Sequence, residues 1–254
     1  LVTGGTGYIG TVLVPYLALN GYKVRTLDTQ HFGNAIADTP NVESVKGDIC
    51  DKETVKKALE GCQAVIHLAG IVTDDLVDMN RGLALKVNVF ATQQLCELAT
   101  EAGVERFIYA SSSSVYGSTV EPATEETRCA PETFYALTKL VAEQAVMGFR
   151  DRMCVTAVRS ATCFGPAPRM RLDTIVNVFC KQAYFDRQIT VYDGTQWRSN
   201  VHVQDAAEFY ALLLMADEEK INGQVFNIAE HSRTAYHIAH MVQRFFNETE
   251  YKAS

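Results

Sequence analysis

The chain has 254 residues, 47% hydrophobic and 21% charged, with a formal net charge of −7 at pH 7. That length suits one large domain, or a large domain with a small annex, and the balance is globular rather than disordered. The acidic excess argues against a surface built to follow a nucleic-acid backbone, while leaving room for a local basic pocket. Seven cysteines stand singly, with no CxxC spacing. They read as reduced thiols of a cytoplasmic protein, and no clustered His/Cys spacing points to a metal. No transmembrane run and no signal peptide is visible. The opening "LVT" already reads as strand interior, so a few N-terminal residues and a C-terminal piece are expected to be missing.

Strands and helices alternate from the start. "LVT" is a strand, followed by a glycine loop and an apolar helix over about Tyr8–Leu19. "KVRTLD" and "VESVKGD" are the next strands, and "DKETVKKALEG" has helical period with Val55 and Leu59 on one face. "AVIHLA" reads as buried strand, and "ALKVNVFATQQLCELATEAG" as a long helix closed by Gly103. "RFIYASS" is strand, residues 134–149 helix and "MCVTAVRS" strand. This alternation predicts an α/β fold, a parallel sheet covered by helices. Beyond residue 160 the pattern loosens: "GPAPRM" as loop, "RLDTIVNVFCKQAYF" as helix, "QITVYDG" as a short strand and turn, and two short helices around "QVFNI". The expected division is a core over 1–160 and a smaller substrate-facing region over 161–254, interleaved with that core.

"TGGTGYIG", residues 3–10, follows a strand and opens a helix, the context a dinucleotide loop requires. Gly4 allows the tight turn, Gly7 leaves room for a pyrophosphate over the helix N-terminus, and Gly10 permits close helix–strand packing; Tyr8 and Ile9 lie between them. Asp28 ends the second strand. It can accept from both adenosine ribose hydroxyls and would repel a 2′-phosphate, which favours NAD over NADP. Arg25 falls elsewhere on that strand. Asp48, with Ile49 in "GDIC", either holds the adenine amine or caps the strand end. Leu68, Ala69 and Gly70 of "HLAG" let the cofactor pass close. His67 lies inside an apolar strand and reads as packed rather than catalytic.

"YALTK" puts Tyr135 and Lys139 one helical turn apart on one face. A phenol with a pKa of about 10 is a poor base at neutral pH. A neighbouring ammonium stabilises the phenolate and lowers that value. The tyrosinate can then take a proton from a sugar hydroxyl as hydride leaves the carbon. "SSSSVYG", residues 111–117, supplies a hydroxyl at the carboxyl edge of the sheet.

With these motifs, "NVFATQQL", "RSATCFGP" and "YDGTQWRSNVHVQDAA" included, essentially the whole chain resembles an extended short-chain dehydrogenase/reductase of the NAD-dependent sugar-nucleotide epimerase/dehydratase family. The resemblance implies a Rossmann domain with a small C-terminal region for the nucleoside diphosphate. It also implies a homodimer in which helices near 81–101 and 134–149 form a four-helix bundle. Counting back four residues from Tyr116 makes Ser112 the catalytic hydroxyl, with Tyr135 as base and Lys139 its helper. Ser111 is expected beside Ser112 and nearer the cofactor. Tyr116 is expected to approach the substrate, and Asn88 to support the central strand region within the cofactor site.

Family 4,6-dehydratases typically carry Asp and Glu after the catalytic hydroxyl, and nucleotide-sugar decarboxylases tend to carry Glu in the second position; here stand Ser113 and Ser114. A hydroxyl does not readily replace the carboxylate that expels water. The pattern therefore favours a 4-epimerase, with dehydratase, uronate decarboxylase and keto-sugar reductase as alternatives. A non-catalytic nucleotide-binding protein should lack the Ser, Tyr or Lys, and all three are present. Thr162 stands where many family epimerases have Asn. Arg169 and Arg171 are placed either against pyrophosphate or a sugar carboxylate, or in a solvated loop. Arg198 is expected to present a fork to the diphosphate. Val191 and Tyr192 are expected near the base, uridine by family inheritance, and Trp197 to pack. His202 and Asp205 read as structural, Asp205 either capping the following helix or anchoring His202.

Overall fold

The structure, a computed structural model, describes residues 1–119 and 121–248. Its main sheet contains β1 (Val2–Thr3), β2 (Val24–Asp28), β3 (Val42–Lys46), β4 (Ala64–His67), β5 (Arg106–Ser112), β6 (Cys154–Ser160) and β9 (Gln224–Ile228). They lie side by side as β3-β2-β1-β4-β5-β6-β9, and every neighbouring pair is parallel. This is the doubly wound Rossmann order. The chain reverses direction across the sheet between β1 and β4, and that reversal opens a crevice at the carboxyl ends of the strands.

Both faces of the sheet are buried, which is why its strands read as nearly continuous apolar runs. Alternate residues sort to opposite faces. Val2, Ile66, Ile108 and Val158 pack with Leu13, Val14 and Leu17 of α1 (Gly10–Leu19) and with Tyr210 of α8 (Val203–Met215). Val65, Phe107, Tyr109 and Val155 pack on the other side against α2 (Lys52–Leu59), α5 (Ala91–Glu101) and α6 (Phe134–Met147). Asp51 caps α2, accepting from the N–H groups of Glu53 and Thr54, and Val55 and Leu59 are buried as their spacing predicts. The helix before β5 starts earlier than expected. After α3 (Asp74–Met79) it runs from α4 (Arg81–Ala84) through a π-helical stretch, Leu85–Phe90, into α5. Gly103, just past it, takes the left-handed conformation at φ 76°.

The remaining elements depart further from expectation. β7 (Thr162–Phe164), β8 (Trp197–His202) and β10 (His231–Thr234) form a second sheet in the order β10-β8-β7. β7 and β10 are only three and four residues long, and neither is visible as periodicity. "QITVYDG" is not a strand; it runs as irregular chain on either side of Asp193. α7 (Ile175–Lys181) begins later than expected, because Arg171 and Asp173 pair in the loop before it. A short π-helical run, Gln182–Asp186, extends it. α9 (Glu218–Ile221) precedes β9, and α10 (Ala235–Glu248) packs Ile238, Ala239 and Val242 on Phe179 and Ala183 in a third small core. The cap of α8 is His202, whose Nδ1 accepts from Gln204 N–H at 3.2 Å; Asp205 sits in the first turn and does not cap. All seven cysteines are free. No helix among the described residues is long and apolar enough to cross a membrane.

Phe107 is fully buried at the centre of the second cluster. Replacing it by alanine is expected to cost about 3–5 kcal/mol of unfolding free energy, measured by denaturant titration.

Candidate active site

The glycine loop lies in the crevice between β1 and β4. Gly4 has φ 71°, and a Cβ there would stand 2.7 Å from the Ala69 N atom, so the turn and the end of β4 require glycine. A Cβ on Gly10 would meet the Gly4 carbonyl oxygen at 2.5 Å, whereas one on Gly7 meets only that oxygen, at 3.1 Å. The loop is thus closed toward the sheet and open at Gly7. Asp28 is clasped beside it: one carboxylate oxygen accepts from Thr6 N–H at 3.1 Å and the other from Gln30 N–H at 2.7 Å. Thr6 escaped the sequence reading. Arg25 turns away as expected, pairing with Glu43 at 2.7 Å and donating to the Ala58 and Glu60 carbonyls.

Other expected cofactor contacts are divided. Leu68, Ala69 and Gly70 end β4 against the loop, and Asn88 holds that segment: its amide accepts from Ile71 N–H and donates to Ile71 O and to Thr138. Asp48 is exposed and caps Cys50 N–H at 2.8 Å, while Ile49 belongs to the core. Ile9 packs partly buried against the core at the start of α1. The Tyr8 side chain turns inward. Its phenol donates to Gly165 O at 2.6 Å and accepts from Asn177 at 3.1 Å, stapling the glycine loop to the segment after β7.

α6 carries Tyr135 and Lys139. Thr133 caps it, accepting from Ala136 N–H at 3.1 Å. Ser112, the last residue of β5, faces Tyr135, and its Oγ also accepts from the Ser114 hydroxyl at 2.8 Å. Burial raises the Tyr135 pKa; the hydrogen bond to Ser112 and the charge of Arg171 pull it back. Lys139 is buried, with Nζ 4.4 Å from the centre of the Tyr109 ring. Burial lowers its pKa to about 7, and the Glu143 carboxylate, one turn further along, works against that. His67 is fully enclosed between Thr3 (2.6 Å) and Thr92 (2.8 Å), and burial beside the Lys139 charge drops its pKa to about 3. It is a neutral packing residue, as its apolar strand suggested.

Two expected contacts are corrected. Ser111 projects from the opposite side of β5 to Ser112, and its hydroxyl donates to Glu143 at 2.6 Å, not toward the crevice. Tyr116 is 4% exposed; its hydroxyl donates to Asn227 at 2.7 Å and accepts from Arg159 at 2.9 Å, so it belongs to a buried network rather than to a substrate surface. The centre of that network is the two-pronged Arg159–Glu143 pair at 2.6 and 3.0 Å. Burial opposes the Arg159 charge, but bonds to Glu143 and Tyr116 raise its pKa overall. Sequence reasoning missed this pair. Its signals were a lone arginine in the apolar run "CVTAVRS" and a glutamate four residues beyond Lys139.

The expected substrate contacts are spread around the crevice. Ser113 opens the 3₁₀ turn after Ser112, and Thr162 begins β7. Arg171 reaches the catalytic end: it forks onto Asp173 at 3.1 and 2.7 Å, and its charge is felt at Tyr135. Arg169 is separate from it, stacked 4.1 Å from the Phe32 ring centre, with its N–H donating to Thr11 of α1 at 3.4 Å. Val191 lines a cavity of about 580 Å³ beside Tyr236 and His240 of α10. Tyr192 and Trp197 are exposed, so Trp197 does not pack as expected. Arg198 is exposed in β8, where its guanidinium donates to Gln196.

A dinucleotide-type glycine loop, a ribose-height carboxylate and a Ser–Tyr–Lys set at one sheet edge define a dinucleotide-dependent α/β enzyme. The chain belongs to the NAD dependent epimerase/dehydratase family, whose pattern matches residues 1–229. NAD is the cofactor of this family, and the open face at Gly7 and the clasped Asp28 fit it. The chain is 29% identical to dTDP-glucose 4,6-dehydratase of Streptomyces niveus over 90% of this chain and 71% of that one. It superposes on MoeE5 in complex with UDP-glucuronic acid and NAD with a TM-score of 0.87, at 30% identity over 96% and 81% of the two chains. It superposes on Thermus thermophilus UDP-glucose 4-epimerase in complex with NAD with a TM-score of 0.85, at 25% identity over 97% and 82%.

Glu143→Gln removes the carboxylate that supports the Lys139 charge. Lys139 then loses its proton at lower pH, so the alkaline limb of the kcat–pH profile is expected to move down. The variant also strands a buried guanidinium, at a cost of about 3–5 kcal/mol in a denaturant titration.

Proposed function

We propose that this protein is an NAD-dependent nucleotide-sugar 4-epimerase working through a transient 4-keto sugar. The observation that carries this reading is the pair Ser113–Ser114. No carboxylate follows Ser112, and the Ser114 hydroxyl is committed to Ser112 at 2.8 Å. Nothing there is suited to protonate a departing C6 hydroxyl, whereas epimerisation needs only oxidation at C4, rotation of the keto sugar and reduction on its other face.

NAD, when bound, would supply the acceptor and then the donor of hydride. Asp28 would hold its adenosine ribose, and Gly4, Gly7 and Gly10 would allow its pyrophosphate over the start of α1. Ser112 orients the C4 hydroxyl. Tyr135, as phenolate, takes the hydroxyl proton and later returns it. The Lys139 ammonium stabilises that phenolate, offsetting the burial that raises its pKa. Arg171 adds positive charge at the same end. In this reading residues 1–160 carry the cofactor and the chemistry, and residues 161–254 mainly hold the nucleotide sugar. A UDP-linked substrate is the reading supported by MoeE5 and the Thermus enzyme, and Arg171 makes a uronate one of the sugars to try.

A homodimer is part of the same proposal. Leu83, Phe90, Leu137 and Val141 are exposed apolar residues on α4, α6 and the π-helical stretch, the helices a four-helix bundle would join. Seven free thiols suit a reducing cytoplasm.

The test is incubation with UDP-glucose, UDP-N-acetylglucosamine and UDP-glucuronate without added NAD, followed by separation of the nucleotide sugars. Conversion to a C4 epimer is expected, and Tyr135→Phe should lower its rate by at least about 10²–10⁴-fold. Formation of a 4-keto-6-deoxy sugar, or release of CO2, would replace this reading by dehydratase or decarboxylase. Light scattering should give twice the chain mass, falling to one chain in Phe90→Glu; a monomeric parent protein removes the dimer.

A further inference from the structure

The inner sides of α1 and α8 pack on the sheet, and between their outer sides runs a groove of about 470 Å³. Tyr16 and Phe209, with Tyr22 from the turn after α1, give it an aromatic floor, each ring partly buried against the core. Asp205, Glu208, Leu212 and Met215 of α8 line it at spacings of three and four residues, so they form one stripe along that helix. The stripe changes character along its length. Two carboxylates stand in its first turns and two apolar side chains in its last.

A helix on a protein surface ordinarily turns polar and charged residues outward. α1 carries no charged side chain at all. Leu212 and Met215 are 54% and 67% exposed, and Leu19, next to Asn20 of the groove lining, is 87% exposed. An apolar strip of this kind, edged by polar groups, marks an interaction surface. The two carboxylates are also unpaired. Glu208 accepts from the Gln204 amide at 3.0 Å, and among the described residues neither Asp205 nor Glu208 forms a salt bridge. Lys23, beside Tyr22, pairs with neither.

We infer that this groove docks a basic amphipathic helix of another protein. The apolar stripe of that helix lies on Leu212, Met215 and the aromatic floor, and two of its Lys or Arg side chains, one turn apart, pair with Asp205 and Glu208. The ten residues from Asp205 to Met215 rise by about 15 Å, the length of about three helical turns, which suits a helix laid in a groove. Charge decides against the other occupants. A second copy meeting this face by a two-fold axis would set Asp205 and Glu208 against their own equivalents. An anionic membrane would be repelled by the same carboxylates and by a chain of net charge −7.

The test is fluorescence anisotropy with a labelled, alanine-based peptide of about 15 residues, with leucines three and four residues apart on one face and two lysines one turn apart at one end. The parent protein is expected to bind it, and to bind the same peptide with glutamates for lysines at least about tenfold more weakly. Asp205→Asn combined with Glu208→Gln is expected to weaken the lysine peptide by about ten- to a hundredfold, and Leu212→Glu to do the same. Glu97→Gln combined with Glu101→Gln, the same change of charge on α5, leaves binding as it was. Unchanged NAD content shows that each variant has folded. No binding of the lysine peptide, equal binding of both peptides, or equal loss in the α5 control overturns the inference. A light-scattering mass that falls in Leu212→Glu would make the face a contact between copies of this chain, and phosphatidylserine vesicles bound by the parent but not by Leu212→Glu would make it a membrane face; either result overturns the partner helix.

Discussion

Lys139 is an amine carried on a helix into the protein interior, where burial, partly offset by the Glu143 carboxylate, lowers its pKa to about 7. Much of the candidate site is arranged around keeping that charge in place. The Tyr109 ring lies under Nζ, Glu143 supplies a carboxylate one turn away, and Arg159 anchors Glu143 from β6. His67 next to it stays neutral because burial, and then the Lys139 charge, disfavour a second cation there. A charge so placed is screened little by solvent, and it is felt at His67 beside it.

The Arg159–Glu143 pair also explains why the strand end is shaped as it is. Ser111 is drawn toward α6 by Glu143, which leaves Ser112, its neighbour on the strand, facing Tyr135. Tyr116 and Asn227 extend the same network to β9. One buried ion pair thereby links β5, β6, β9 and α6, and the alternation of a single strand separates a serine of that network from one that faces Tyr135. Such a pair stabilises little by itself, because desolvation offsets much of its attraction, but losing either partner strands a buried charge.

Much of this was legible in the sequence. Periodicity and glycine placement gave the parallel sheet, the loop at residues 3–10 and the Tyr135–Lys139 pair, because those signals are local. What escaped was non-local or unpatterned. β7 and β10 are three and four residues long, too short for a period. "QITVYDG" has strand-like residues, yet Val191 is used to pack on α10 and the rest finds no sheet neighbour. The directions of Ser111 and Tyr116 depended on Glu143 and Arg159, which lie 16 residues apart on different elements.

In the proposed reaction hydride leaves C4 and returns to C4, with nothing eliminated between. The most direct measurement is to supply the converted nucleotide sugar carrying deuterium at C4, in ordinary water and without added NAD, and to locate the label in the product. The label is expected to stay at C4 of the inverted sugar, with no exchange of solvent hydrogen at C5. Label at C6, together with solvent hydrogen at C5 and loss of the C6 oxygen, would contradict it and assign Ser112, Tyr135 and Lys139 to a dehydratase.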